Sequence, residues 1–348
     1  MGRSEGMCGS AVMENARWLG GLLLTALLLS RPQAAASGAA RAMARWYETV
    51  APSLFPFLAL MPLLTGDAAA RVYEALFGKC MGALFKLPGA AAPAMLIGMA
   101  CGTPAGVVAA RSAAARSGMN RGQLQRMATA MTGFSPAFLL GGIGGGMLNS
   151  PRAGTLLLAA QVMTQMTLML LLRRAWRDRT QPVAMADQDA ERAPVRGAVM
   201  ILLTIGGYMA LFGGIAAVLR EYMGSTASNA LLCALDVPSG ALALAERGME
   251  AGKRLVLIAG MCGFGGLCLI AQNLGALKGC GVKLAECLGL RAVAAGVSMG
   301  YMALFLHLPE IDAGYWLGAI RANSLAAAGL AASLLAVPVV IGLKKSIS

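Results

Sequence analysis

Histidine is almost absent from this chain of 348 residues: His307 is its single copy. Cysteine occurs eight times, yet no two cysteines stand as a Cys-x-x-Cys pair. Cys101, Cys233, Cys262 and Cys268 fall inside apolar runs, where cysteine behaves as a small hydrophobe. With so few imidazoles and no paired spacing, neither a metal site nor a disulfide framework is expected, and no other cofactor is called for. Aromatic residues make up 5%, and the alternation and aromatic girdles of a transmembrane barrel are missing. Charged residues make up 13%, against about 25% in a soluble domain. The net charge of +13 does not mark a nucleic-acid partner. Arg and Lys stand mostly at the ends of apolar runs and in the loops between them, where the positive-inside bias and snorkelling place them.

What the chain does have is apolar length and small residues. Hydrophobic residues make up 57%, with 45 glycines and abundant alanine. Small residues let helices pack closely inside a bilayer. The expected fold is all-α: a polytopic transmembrane bundle in the cytoplasmic (inner) membrane, with about ten apolar segments, some broken or re-entrant.

Residues 1–45 carry a polar lead and a short apolar stretch, 18–30. That stretch is read as a first transmembrane helix extended back through Val12. Ala34-Ala35-Ala36 behind it would also suit a cleaved leader. Residues 34–46, with Arg41 and Arg45, suggest an interfacial helix. A first half spans 46–172. It opens on the proline-rich run at Pro52, Pro56 and Pro62, followed by an interfacial stretch over 67–86. An apolar span over 93–110 comes next. Arg111, Arg116, Arg121 and Arg126 then mark a cytoplasmic loop or hairpin base. Residues 173–197 form the longest hydrophilic segment, a cytoplasmic linker. A second half, 198–348, carries spans near 198–219, 229–245, 255–277, 292–308 and 325–343.

Two spans are interrupted where a membrane helix needs no interruption. Gly102-Thr103-Pro104-Ala105-Gly106 stands inside the 93–110 run. Proline removes a backbone donor and clashes with the preceding turn, and the freed carbonyls need partners in protein or in a wet cavity. Asp236-Val237-Pro238-Ser239-Gly240 repeats the Pro-x-Gly pattern in the second half. Each is followed by another interrupted span, holding Thr132-Gly133-Phe134-Ser135-Pro136 in the first half and Cys262-Gly263-Phe264-Gly265-Gly266 in the second. The separations are 134 residues at the prolines and 130 at the Gly-Phe pairs. Matched broken helices in two halves point to a transporter site at their interface. A Gly/Ala-rich chain can also produce such matches by chance, and a plain proline kink packed by small residues is the bland alternative.

The candidate substrate-binding residues are therefore Thr103, Pro104, Gly106, Ser135, Asp236, Ser239, Gly240, Gln272 and Asn273. Asp236 is the most informative, because a carboxylate at the helix centre costs about 3 kcal/mol or more unless paired or hydrated. It can bind a proton or cation or accept from a solute hydroxyl. It can equally cap a half-helix starting near Pro238. The Gln272-Asn273 amides can read a polar ligand or join helices. Thr103, Ser135 and Ser239 either satisfy freed backbone groups or face a solute. No catalytic residue is assigned: Ser135 with His307 resembles a rhomboid dyad, but Pro136 follows the serine and supplies no oxyanion N–H. The expected partners are the bilayer and a small polar solute. A coupling ion and a homo-oligomer are compatible with this, and a non-transporting scaffold is the alternative.

Several of these motifs resemble a known family. Pro52-Ser53-Leu54-Phe55-Pro56-Phe57, Gly102-x-Pro-x-Gly106, Ser135-Pro136, Leu235-Asp236-Val237 and Phe264-Gly265-Gly266-Leu267 with Gln272 follow the order seen in YlbJ-type sporulation integral membrane proteins. That family belongs to the nucleoside-recognition, or Gate, group. The resemblance covers roughly residues 15–345. It implies Gate-like halves and a transporter acting in spore formation, with a nucleoside-like or other small polar solute. This chain departs from the family pattern at three points. Thr103 replaces an aromatic, Val107 and Val108 stand where a Lys is usual, and Asp236 replaces a Glu. The missing Lys removes one charge partner within the membrane, so substrate or coupling is expected to differ.

Overall fold

A computed structural model describes residues 18–174, 194–223 and 225–307. The polar lead, most of the 173–197 linker and the 325–343 segment lie outside the described residues. Every described element is helical. The chain runs through α1 (Trp18–Ser30), α2 (Pro32–Arg45), a π-helical turn (Trp46–Val50), α3 (Ala51–Thr65) and α4 (Asp67–Phe85). It continues through α5 (Ala92–Cys101), α6 (Ala105–Ser117), α7 (Arg121–Ala130), a π-helical segment (Phe138–Met147) and α8 (Pro151–Leu171). The second half holds α9 (Pro194–Tyr222), α10 (Ser225–Leu235), α11 (Val237–Ala245), α12 (Ala251–Phe264), α13 (Gly266–Ala276) and α14 (Leu284–His307).

Local chemistry sets these boundaries. Pro32 begins α2, and α1 meets the next helix at 99°. Gly66 separates α3 from α4, which are bent by 76°. Gly118, at φ +65°, closes α6 as a left-handed C-cap, a conformation glycine adopts without penalty. Asn120 opens α7 through a capping box with Gln123, whose N–H donates to Asn120 Oδ1 at 2.8 Å while Gln123 Oε1 accepts from Asn120 N–H at 3.0 Å.

The apolar spans fall largely where hydrophobicity places them. Among the described residues four helices are long and apolar enough to cross a membrane: Pro151–Leu171, Pro194–Tyr222, Ala251–Ala276 and Leu284–His307. Counting each bent pair, Trp18–Ser30 with Pro32–Glu48 and Leu54–Thr65 with Asp67–Phe85, raises this to six. The 93–110 and 229–245 runs do not cross as straight spans; each folds back. A helix would separate Gly98 from Gly106 by about 12 Å and Cys233 from Gly240 by about 10 Å. Instead a Cβ on Gly106 would collide with Gly98 Cα, and one on Gly240 would lie 2.6 Å from Cys233 Cα. Helices α5–α6 and α10–α11 are two helical hairpins whose tips are Gly102–Pro104 and Asp236.

The 111–126 arginine stretch is not an open loop. It occupies α6 and α7, with Gln125 and Arg126 buried. The segment with Arg41 and Arg45 packs along α9, with Gly38 and Ala42 buried against Gly213. One core cluster unites α3 to α7 with Leu202 and Ile205 of α9. A second joins Leu139, Ile143 and Leu157 to Val237, Ile258 and Met302, so side chains from the two ends of the sequence interleave. Large apolar side chains such as Leu23, Leu63 and Leu171 remain exposed on the outside, as lipid contact requires.

Candidate functional site

Each hairpin tip touches the interrupted helix that follows it. In the first half, Thr103 N–H donates to Gly133 O at 2.8 Å, and Thr103 Oγ1 accepts from Gly133 N–H at 2.8 Å. Gly102 sits at φ +72°, and a Cβ there would meet Ser135 N at 2.7 Å and Gly133 O at 2.8 Å. Only glycine admits this approach. In the second half, Gly265 and Gly266 take φ of +90° and +74°. A Cβ on Gly266 would lie 3.0 Å from Leu235 O and 3.5 Å from Asp236 Cα.

The helix after each break braces it. Gln161 of α8 accepts from Phe134 N–H at 2.8 Å and donates to Phe134 O at 2.7 Å. Arg291 of α14 is buried and bonds only to carbonyls. Its Nε donates to Phe264 O at 2.9 Å, one terminal nitrogen to Thr129 O at 3.0 Å and Thr132 O at 3.2 Å, and the other to Cys262 O at 3.5 Å and to Gly263 O. Arg291 therefore joins the C-terminal ends of α7 and α12, the negative ends of both helix dipoles. Asn273 adds a bond from Nδ2 to Thr132 Oγ1 at 2.9 Å. Gly133 to Gly263 and Gln161 to Arg291 are both separations of 130 residues. Neither brace was picked out from sequence. That shared separation, applied beyond the glycine motifs, is the signal that finds them.

Between the breaks lies a cavity of ≈ 180 Å³. Thr103, Ser135, Asp236 and Gln272 line it, with Phe134 and Phe138 on one wall and Ile205 and Met209 of α9 on another. The two phenylalanine rings lie 5.2 Å apart, tilted by 36°. Asp236 caps α11: its Oδ2 accepts from Ser239 N–H at 3.2 Å and from Ser239 Oγ at 2.7 Å. Among the described residues Oδ1 has no hydrogen-bond partner, and no cation pairs with this carboxylate. Gln272 is buried, with Nε2 3.3 Å from Cys268 Sγ. Ser135 Oγ accepts from Phe138 N–H at 3.3 Å.

Four of the nine candidates thus meet at one cavity. Pro104 lines a neighbouring one. Ser239 serves the Asp236 cap, Gly106 and Gly240 are the close-packing points of the hairpins, and Asn273 points to Thr132. The cavity also takes Leu54 from the proline-rich motif and Gly265 from the second break. Among the described residues no group of three or more His, Cys, Asp or Glu side chains is placed to hold a metal ion.

Apolar helices of membrane-crossing length, an outer surface of bare leucines and interrupted helices turned inward define a multi-pass membrane protein. The chain is similar to the sporulation integral membrane protein YlbJ of Bacillus subtilis (strain 168), at 28% identity over 216 residues, covering 55% of this chain and 53% of that protein. It therefore spans about half the length of that relative. The similarity supports a YlbJ-type family, in line with the motif resemblance. No family model matches the chain, and no solved structure matches it.

Proposed function

We propose that the protein is a transporter of the cytoplasmic membrane that carries a small polar solute and acts in spore formation. The observation that supports this best is the convergence of two interrupted helices, one from each half, on a single cavity that exposes an ionisable carboxylate. Thr103, Ser135 and Gln272 offer hydroxyls and an amide to the solute. Asp236 Oδ1 takes a proton or cation, or accepts from a solute hydroxyl, and the phenylalanine pair covers an apolar face. The two hairpins, the two breaks and the two braces stand in the same order in 46–172 and 198–307, which favours two repeat-related, Gate-like halves. Discontinuous helices meeting between such halves are the architecture in which alternating access operates. We assign no catalytic step.

The test is Asp236→Asn in a sporulating host. Asparagine also caps a helix N-terminus, so the variant should fold and reach the membrane. Loss of sporulation with normal membrane levels, and loss of solute flux in vesicles, are the expected results. Unchanged sporulation and flux for Asp236→Asn, Gln272→Ala and Thr103→Val would remove the assignment. The Asp236–Ser239 cap favours a second reading, a non-transporting scaffold in which Asp236 is structural. On that reading Asp236→Asn is silent, because the cap survives.

A further inference from the structure

A second cavity, ≈ 280 Å³, lies between α3, α6, α9 and α13. It shares Ile205 and Gln272 with the Asp236 cavity but has the opposite charge. Its polar lining is Thr65, Arg111, Ser112, Thr204 and Gln272. One terminal nitrogen of Arg111 donates to Ala276 O at 2.8 Å, the last residue of α13. Its Nε is buried without a hydrogen-bond partner. No carboxylate pairs with it among the described residues.

A guanidinium held against apolar walls is costly unless its charge and donors are answered. A single carbonyl at a helix C-terminus answers part of that cost. The remaining walls, Met61, Val108 and Ile201 among them, are hydrocarbon. We propose that this cavity is an anion site, which takes a carboxylate or phosphate head on a small apolar body. Arg111 meets the head, Thr65 and Ser112 flank it, and the apolar walls take the body. The site adjoins the Asp236 cavity through Ile205 and Gln272, but does not rest on the transport proposal. Its head group can come from a soluble organic anion or from an anionic lipid.

The experiment uses the full chain in phosphatidylcholine nanodiscs, titrated with phenyl phosphate and benzoate, and with benzyl alcohol as the neutral comparator. At least one of the two anions should bind saturably and at least tenfold more tightly than the alcohol. Arg111→Gln should lose at least tenfold of that affinity, and Asp236→Asn should keep it. Ile201→Trp, which fills the cavity and leaves Arg111 in place, should lose it as well, and serves if Arg111→Gln fails to fold. In a second arm, phosphatidylglycerol that stays bound to the wild type in native mass spectrometry and leaves Arg111→Gln would assign the head group to lipid. The proposal is overturned if neither soluble anions nor phosphatidylglycerol outcompete the neutral probe. It is equally overturned if the folded Arg111→Gln and Ile201→Trp variants bind like the wild type.

Discussion

The two breaks reach the same shape by different chemistry. The first is closed with neutral groups: Thr103 and Gly133 exchange two hydrogen bonds, and Gln161 grips both backbone groups of Phe134. The second is closed with charge. Asp236 caps the start of α11, and Arg291 gathers the carbonyls at the end of α12. Arg291 then reaches across to Thr129 and Thr132, so the charged half also holds the neutral one. Two consequences follow. The first break depends on close backbone contact and tolerates little added volume. The second depends on the Arg291 guanidinium at its carbonyls.

The sharpest way to break this contrast is Arg291→Ala. It strips hydrogen bonds from carbonyls of both broken helices, and each buried acceptor left unmade costs about 1–3 kcal/mol. We expect loss of folded protein in detergent unfolding assays, with Arg291→Lys recovering only part, since an ammonium has three donors and no planar fork. A destabilisation no greater than that of Gln161→Ala would erase the asymmetry.

Next in size is Gly102→Ala against Gly265→Ala. Gly265 is left-handed, at φ +90° and ψ −10°, which costs alanine about 1–2 kcal/mol, whereas Gly102, at φ +72° and ψ −160°, lies in a region essentially restricted to glycine. At Gly102 the added Cβ also meets backbone at 2.7 and 2.8 Å, whereas at Gly265 the nearest atom is a Leu269 methyl at 3.1 Å. Gly102→Ala should therefore lower the unfolding midpoint more. Equal shifts would mean that the first tip relaxes.

Gln161→Leu comes third. It removes both hydrogen bonds to half-buried Phe134, at about 0.5–1.5 kcal/mol each. Because Phe134 lines the Asp236 cavity, the proposed transport predicts that solute flux falls even at temperatures where the fold is intact. Flux that tracks the folded fraction alone would make Gln161 purely structural.

The smallest effect on stability is expected from Asp236→Asn, within a few tenths of a kcal/mol because the cap persists. Asp236→Ala should cost about 1 kcal/mol. Thermal unfolding of the two variants beside wild type checks this, and a large loss for Asn would show that the charge itself holds the hairpin.

Much of this was legible from residue order. Pro104, Gly102, Asp236 and Gly265 mark the breaks because proline, glycine and a carboxylate are conspicuous inside apolar runs. The long helices α8, α9 and α14 were legible because hydrophobic length is set by the bilayer. Direction was not. A 93–110 run reads the same whether it crosses or folds back, and contact of Gly98 with Gly106 is the evidence of reversal. Gln161 and Arg291 were missed because a polar residue on a long helix looks like a tolerated exception until its target is known. Asn273 and Gln272, adjacent in sequence, face different partners because successive helical positions point about 100° apart.

By itself, the sequence determined that this protein is an all-helical membrane chain with interrupted helices, since composition, run length and backbone-breaking residues are local properties. Tertiary structure decided which interruptions meet, which charges stand in cavities and which residue ties the breaks together. The physical reason lies in the hydrogen-bond requirement of hydrocarbon. An interrupted helix must satisfy its freed carbonyls somewhere, but the sequence does not say with what. Arg291, some 160 positions away from Thr129 and Thr132 along the chain, becomes their partner only once the helices have packed.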